Sequence, residues 1–481
     1  MEEKSAFETF NDSNPYPVSY VRFTAPDDST DAQKKRKKQF SYFISGYAAR
    51  LIRSILDKSG FSETKEIEEA LLIVGSALDE EKENELKYFQ RTNHFTKTFS
   101  LGSKEGYHNL MKFLTSKTGE RPTFYPESYL LPNELNELTE NFQTSDYWIR
   151  KPAGGARGQG IQVINNEEIP KVLPGRRIIV QKYIKDPLLI NELKFDLRFY
   201  VAVTSLDPLR IYLFDNGLVR LATRPYKENI EKIDELTAHL TNFSINRDEA
   251  NFVATNDIEK DGTGNKWSHH PFWPYLEQQG FNVEEIKKKI EDAFVQVIIA
   301  AHKTFKEQPN HRNAFEMFGF DVMLDENQNI YILEVNVTPA LGTSSELDRY
   351  IKTPLVKDIF NLALIPKTES QSALLKVETL MNNLNLNQEG ENNNNGESMS
   401  DMQKQKLRDV IVVCEYEMAK LREGDFHCIW PTQERWDQMK DLLECKTEND
   451  EMLAKWITMS EEEQKTFLDD RFAELRDYLT A

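Results

Sequence analysis

From Trp148 to about Pro366 the pattern of apolar and polar positions is that of short strands, runs of β-branched and aromatic residues bounded by turn residues. The segments "YWIRKPAGG", "IQVI", "RIIVQKYI", "KFDLRFYVAVTS", "LRIYLF" and "GLVRLAT" predict a sheet, and "FEMFGFDVML" and "NIYILEVN" predict a closing strand pair. Between them, apolar residues three and four apart in "IKKKIEDAFVQVIIAAHKTF" predict a long packed helix. Asn282 with Glu285 three residues on forms its capping signal. Asp215-Asn216-Gly217 separates two β-branched and aromatic runs and predicts a two-residue hairpin turn, because Asn-Gly tolerates the positive φ that such a turn requires. Upstream, helical periodicity in "YFISGYAARLIRSILDKSG" mixes with the strand-like "ALLIVGS", and "MNNLNLNQEGENNNNGESMS" is too polar to enter a core. These patterns divide the chain into an N-terminal α/β domain (1–145), a strand-rich central and C-terminal catalytic region (146–370), an Asn-rich linker (371–400) and a helical extension (401–481).

Composition narrows the possibilities. The chain has 481 residues, 39% of them hydrophobic, ample for a large core and two or three domains. No apolar stretch approaches the length of a membrane span and no basic-apolar leader is visible, which predicts a cytosolic or nuclear protein without membrane contact. Cys414, Cys428 and Cys445 have neither disulfide-framework nor zinc spacing and read as reduced packing residues. The net charge of −19 argues against nucleic-acid binding, which depends on Lys and Arg neutralising phosphates. The extension is itself acidic, with 12 basic and 20 acidic side chains, and reads as a separate module. The one dense basic run, Lys34-Lys35-Arg36-Lys37-Lys38, is the available patch for an acidic partner, unless it is an import signal or a solvated loop.

Three constellations carry chemistry. In the strand pair ending at Asn336, a hairpin centred between Asn327 and Gln328 sets Asp321 opposite Glu334. Like charges so placed repel, and carboxylates within apolar strands are costly, unless a cation lies between them. Asn336, two residues past Glu334, adds an oxygen on the same face, and three hard ligands with room for phosphate suit Mg²⁺ bound with a nucleotide. The alternative is a pair of edge carboxylates facing solvent. In "KFDLRFY", Lys194, Asp196 and Arg198 share one face above an apolar floor of Phe195, Leu197 and Phe199, either a charged site or an exposed face. In "KPAGGARGQGIQVI", Lys151 and Arg157 flank glycines that let backbone N–H groups approach phosphates, although a plain turn gives the same pattern. The polar break Gln181-Lys182 in "IIVQKYI" either presents backbone groups to a purine edge or ends the strand.

In order along the chain, "KPAGGARGQGI", "VQKYI", "KFDLRFYV", "IYLFDNGLVRLAT", "HLTNFSIN" and "FGFDVMLDENQNIYILEVN" resemble the ATP-grasp ligases of the tubulin tyrosine ligase-like family. Together with "GNKWS" and "REGDFHCIWP" they are most similar to its tubulin polyglutamylases. The resemblance implies an ATP-grasp fold with an N-terminal α/β domain and a helical C-terminal extension. It implies ATP contacts from Lys151, Arg157, Gln181, Lys182, Tyr183, Ile184, Lys194 and Asp196, with Thr241 and Asn242 near the phosphates. It places Mg²⁺ at Asp321, Glu334 and Asn336, makes Arg198, Arg220 and Glu334 catalytic, and assigns the substrate amino acid to Arg220, Phe243, Ser244 and Lys266. Phe243 stands where that branch usually shows Tyr, and "NVTPA" replaces its common Ser-Pro-Ser. The activity implied is ATP- and Mg²⁺-dependent ligation of free glutamate to glutamate side chains of tubulin tails, through an acyl phosphate, by a monomer in the cytoplasm and cytoskeleton, with cilium or basal body as further places. The alternatives are the same chemistry with glycine, tyrosine or a non-tubulin acceptor, an unrelated small-molecule ATP-grasp ligase, or a microtubule-binding protein whose site has decayed.

Overall fold

A computed structural model describes residues 4–13, 18–26, 38–155, 158–167, 177–226, 236–246, 249–253, 257–307, 311–371 and 400–480. Lys34 to Lys37 of the basic run, Arg157 and most of the Asn-rich linker lie outside them. Among the described residues, three sheets organise the fold. The first is parallel and holds β1 (Phe40–Ser45), β2 (Phe61–Glu63), β3 (Leu72–Gly75) and β4 (Arg91–Thr92) in the order β2-β1-β3-β4. The second is antiparallel, with β5 (Ser128–Leu131), β6 (Tyr147–Pro152), β7 (Gln162–Asn165) and β8 (Ile178–Lys182) in the order β5-β8-β6-β7.

The third and largest sheet holds β9 (Leu189–Ile190), β10 (Leu193–Leu206), β11 (Leu209–Phe214), β12 (Leu218–Leu221), β13 (Lys266–Ser268), β14 (Glu316–Leu324), β15 (Ile330–Asn336) and β16 (Phe426–Trp430). Its spine is the 14-residue β10. Phe195, Leu197, Phe199, Val201 and Val203 point to one face and pack with the helix Val283–Lys306, whose Phe294, Val297, Ile298 and Ala301 are buried. Asn282 caps that helix by accepting the Glu285 N–H at 3.3 Å, as the capping signal predicts. The opposite face carries Lys194, Asp196 and Arg198 at one end. At the other, Tyr200 and Ala202 lie under the helix Glu346–Leu362 and the N-terminal domain.

Two local departures from the expected topology shape this sheet. Asp215-Asn216-Gly217 does not reverse the chain. β11 and β12 both pair with β10 on the edge opposite β14, one after the other, so the three residues are a jog in one long edge. Neither Asn216 nor Gly217 has positive φ. Gly217 is required by closeness: a Cβ there would lie 2.2 Å from the Arg198 carbonyl oxygen and 2.3 Å from the His269 ring. The tight turn with both central φ positive is instead Asn191-Glu192, at 50° and 67°, between β9 and β10. In the β14–β15 hairpin, Asp321 does face Glu334, but by a different route from a turn centred between Asn327 and Gln328. The loop Asp325–Asn329 is centred on Asn327, and a bulge at Leu333 shifts the register between Val322↔Ile332 and Asp321↔Glu334. Because side chains alternate faces, the extra residue flips the phase: Ile330, Ile332 and Val335 enter the core, while Leu333, Glu334 and Asn336 face the cleft.

The C-terminal extension is built into the same body. β16 pairs with β11 antiparallel, extending the main sheet, and Ile429 and Trp430 are fully buried in its core. The helix Asp401–Lys420 buries Leu407, Val410, Val413 and Cys414 against the N-terminal domain and the helix Glu346–Leu362. Phe10 meets Phe472 edge-on at 5.0 Å, joining the two ends of the chain. The three cysteines are free, and Cys414 is a buried packing residue. Among the described residues no helix is long and apolar enough to cross a membrane.

Candidate active site

The second sheet stands over the charged end of β10, β14 and β15, leaving a cleft of about 660 Å³ that opens to solvent. Part of its lining is apolar, with Ile149, Ile161, Tyr183, Ile184, Met323 and Leu333, beside Gln181 and Lys182. That shape suits a purine ring, with backbone groups at the end of β8 along one edge. The rest of the lining is polar or ionic: Lys104, Lys151, Lys194, Asp196, Thr241, Asn242, Asp321 and Glu334, with Lys151, Lys194, Asp196 and Asp321 buried. The described positions expected from the nucleotide-binding motifs therefore converge; Arg157 lies outside the described residues. The glycine-rich turn closes on the Thr241–Asn246 segment, where a Cβ on Gly158, whose φ is +75°, would lie 2.7 Å from Ile245 and 3.2 Å from Asn242.

The two buried lysines of the cleft have no carboxylate partner among the described residues. Lys151 Nζ donates to Gln181 Oε1 at 2.7 Å, and Lys194 Nζ donates to the Tyr183 hydroxyl at 2.9 Å while lying 4.3 Å from the Tyr183 ring centre. The Tyr183 hydroxyl is shared with His239 Nδ1 at 2.8 Å. Burial pushes Lys151 down to about 8, against the attraction of Glu334. Burial, with the repulsion of Lys151, pushes Lys194 down to about 7. Two desolvated ammonium groups in one apolar-walled cleft form a donor set for a polyanion.

Beside them one sheet face carries a lateral row of charged side chains. Antiparallel register sets Glu334 opposite Asp321, Asp321 opposite Arg198, Asp196 opposite Arg220 and Arg220 opposite Lys266. Arg198 binds Asp321 through both Nε (2.5 Å) and Nη2 (2.9 Å). Arg220 grips Asp196 with two bonds of 2.6 Å and reaches Asp321 at 2.8 Å. Thr241 donates to Asp196 at 2.6 Å. Lys266 meets Asp348 at 2.8 Å, and Lys352 meets the same carboxylate at 2.7 Å.

The positive charge next to Asp321 is thus supplied by two guanidinium groups. Burial alone would raise Asp321, but Arg198 and Arg220 outweigh it and hold the carboxyl well below the usual range. Glu334 has no such pair: burial raises it first, the Asp321 charge second. Asn336 Nδ2 donates to Glu334 Oε1 at 3.3 Å, holding the two side chains together. Two carboxylates and one amide oxygen, open on the cleft side, fit an oxygen-seeking divalent ion that arrives with its own phosphate ligands better than a closed cage. Among the described residues no cluster of three or more His, Cys, Asp or Glu is placed to hold a metal.

Of the expected amino-acid contacts, Arg220 and Lys266 lie opposite each other on β12 and β13, both ion-paired. Phe243 and Ser244 begin the helical turn Phe243–Asn246, and their side chains lie outside the described residues. Sequence reasoning missed four contributors. Lys104 opens a helix and donates to the Gly155 carbonyl at 3.1 Å, in a segment that reads only as a capped helix start. His239 resembles an ordinary helix-end residue. Asp348 looks like the third residue of a Ser345 cap, which it also is, and Lys352 like its i+4 partner.

Residues 81–372 match the tubulin-tyrosine ligase family. The tubulin monoglutamylase TTLL4 of Homo sapiens is 36% identical over 348 residues, 70% of this chain and 28% of that protein. The tubulin polyglutamylase TTLL5 of Mus musculus is 32% identical over 452 residues, 86% and 34% respectively. The tubulin polyglutamylase ttll-4 of Caenorhabditis briggsae is 34% identical over 359 residues, 71% and 58%. The chain spans about a third of the length of the first two and just over half of the third.

Proposed function

The chain belongs to the tubulin-tyrosine ligase family, and from that premise we propose that it is an ATP-dependent ligase joining free glutamate to glutamate side chains of tubulin tails. The observation that carries this reading is the juxtaposition within one cleft. Two buried lysines without carboxylate partners stand beside an open carboxylate pair and a row of cations. The names of the relatives, tubulin mono- and polyglutamylases, supply the substrate class.

In this reading Lys151 and Lys194 hold the phosphates, while Gln181, Lys182, Tyr183 and Ile184 border the purine. Asp321, Glu334 and Asn336 hold Mg²⁺, which when bound neutralises charge developing on phosphoryl oxygens. Arg198, fixed by its two bonds to Asp321, presents its remaining N–H groups to the acceptor carboxylate and the transferring phosphoryl group. The acceptor carboxylate takes the γ-phosphoryl group, releasing ADP. The amine of free glutamate then displaces phosphate from the acyl carbon and gives up a proton, forming an amide. Arg220 and Lys266, with Asp348 and Lys352 behind them, are placed for the carboxylates of the incoming glutamate. Arg198, Arg220, Lys266 and Lys352 converge here on Asp321, Asp196 and Asp348, a cationic cluster suited to carboxylate groups of a substrate.

Phosphate release by the purified protein with Mg²⁺-ATP should require both microtubules and an amino acid. Glutamate should support it, and glycine or tyrosine should not. Equal release with all three, or release independent of microtubules, would remove the assignment. Tubulin as partner implies a cytoskeletal location.

A further inference from the structure

A second polar cavity lies at the far end of β10 from Lys194, where the β10–β11 turn, the N-terminal domain and the helix Asp401–Lys420 meet. Four arginines line it: Arg91, Arg210, Arg312 and Arg408. The two carboxylates present are Asp207 and Glu415. Asp207 is occupied by Thr447 at 2.7 Å and Asn449 at 3.0 Å, with Lys306 and Arg312 near 4 Å. Arg91 is tied to the Tyr88 and Gln90 carbonyls.

Arg210 is different. It is 5% exposed, yet its one ionic partner among the described residues is Glu415, at 3.5 Å. Its Nε and Nη1 have no hydrogen-bond partner there, so three of its five N–H donors are buried and unpaired. Two further unpaired polar atoms belong to the same lining, Thr204 Oγ1 and Arg408 Nε. Unpartnered buried donors are rare in folded proteins, and a buried guanidinium cannot relieve its position by losing its proton.

We propose that this cavity is a binding site for a compact phosphate-type oxyanion, either free phosphate or the phosphate group of a small molecule. The unpaired donors come from three segments, β10, β11 and the helix Asp401–Lys420. That suits the several oxygens of a tetrahedral dianion better than the two coplanar oxygens of a carboxylate. The charge also matches, since the arginines outnumber the carboxylates by two. Arg312, more than a third exposed, lies at the mouth, and Arg210 forms the floor. A bound anion would bridge the catalytic sheet to the C-terminal helix, joining the extension to the catalytic body.

Calorimetric titration of the full chain at constant ionic strength tests this, using orthophosphate, glycerol 3-phosphate and a short polyglutamate peptide. Saturable binding of either phosphate compound is expected, and the tighter of the two tells free from esterified phosphate. Binding should weaken about tenfold or more in Arg210→Gln and persist in Lys151→Ala, whose change lies in the catalytic cleft. If Arg210→Gln fails to fold, Arg408→Gln, altering a less buried arginine, should show the same weakening. No saturable binding, binding unaffected by the arginine changes, loss in Lys151→Ala, or binding of the peptide alone would overturn the proposal.

Discussion

If Lys151 and Lys194 hold a triphosphate, nucleotide binding must take up protons above neutral pH, by an amount the structure sets. In the free protein the two ammonium groups titrate near 8 and 7, against the ordinary 10.5, because burial disfavours their charge. A bound polyanion restores both to full protonation. At about pH 8.5 the free protein carries only about a quarter of a proton on Lys151 and almost none on Lys194, so binding takes up about 1.7 protons, against about 0.3 at pH 6.5. The dissociation constant should therefore rise about 100-fold between those pH values, or about 2.7 kcal/mol. The stability of the free protein runs the other way. These lysines have depressed values in the fold, so the unfolded chain binds more protons and their contribution to stability grows from pH 7 toward 10.5. Calorimetric titration of a non-hydrolysable ATP analogue, with excess Mg²⁺ and buffers of different ionisation enthalpy, gives both the affinity and the proton count. In Lys194→Met the pH effect should shrink to about fourfold, the part carried by Lys151. A dissociation constant flat across this range, with no proton uptake, would refute the assignment of these lysines to the phosphates.

Glu334→Gln should abolish ligase turnover while leaving the midpoint of chemical denaturation unchanged or slightly higher, since a carboxyl already raised by burial and by Asp321 is neutralised. Lys266→Ala should raise KM for glutamate by an amount equivalent to about 2–5 kcal/mol, with nucleotide affinity near normal, because Asp348 keeps Lys352. Unaltered glutamate kinetics would release Lys266 from that role. Arg220→Ala should cost stability as well, because it strips a partner from both Asp196 and Asp321. Trp430→Ala should destabilise the whole chain by about 3–5 kcal/mol in one cooperative transition, as expected if β16 belongs to the main core. Separate transitions for the extension would contradict that.

The alternation of "KFDLRFY" was enough to place Lys194, Asp196 and Arg198 on one face, because side chains two apart in a strand share a face. The capped helix after Asn282 was legible for a similar reason: its signals are local. The opposition of Asp321 and Glu334 was also legible, yet its cause was not, since a bulge at Leu333 and a shifted turn compensate each other and leave no mark in composition. Asn216-Gly217 misled because the long β10 supplies an edge along which both flanking strands pair, and tertiary pairing outweighs the local turn preference. Ion partners such as Asp348 and the incorporation of β16 depend on contacts between residues far apart in the chain, for which local patterns carry no signal.

The central claim is tested most directly by mass spectrometry of tubulin tails after incubation of microtubules with the purified protein, Mg²⁺, ATP and an equimolar mixture of isotopically distinct glutamate, glycine and tyrosine. The account predicts mass increments of whole glutamyl residues on tail glutamate side chains, dependent on ATP and absent with Glu334→Gln. Tails left unmodified by the wild-type protein, or carrying glycine or tyrosine in preference to glutamate, would contradict it.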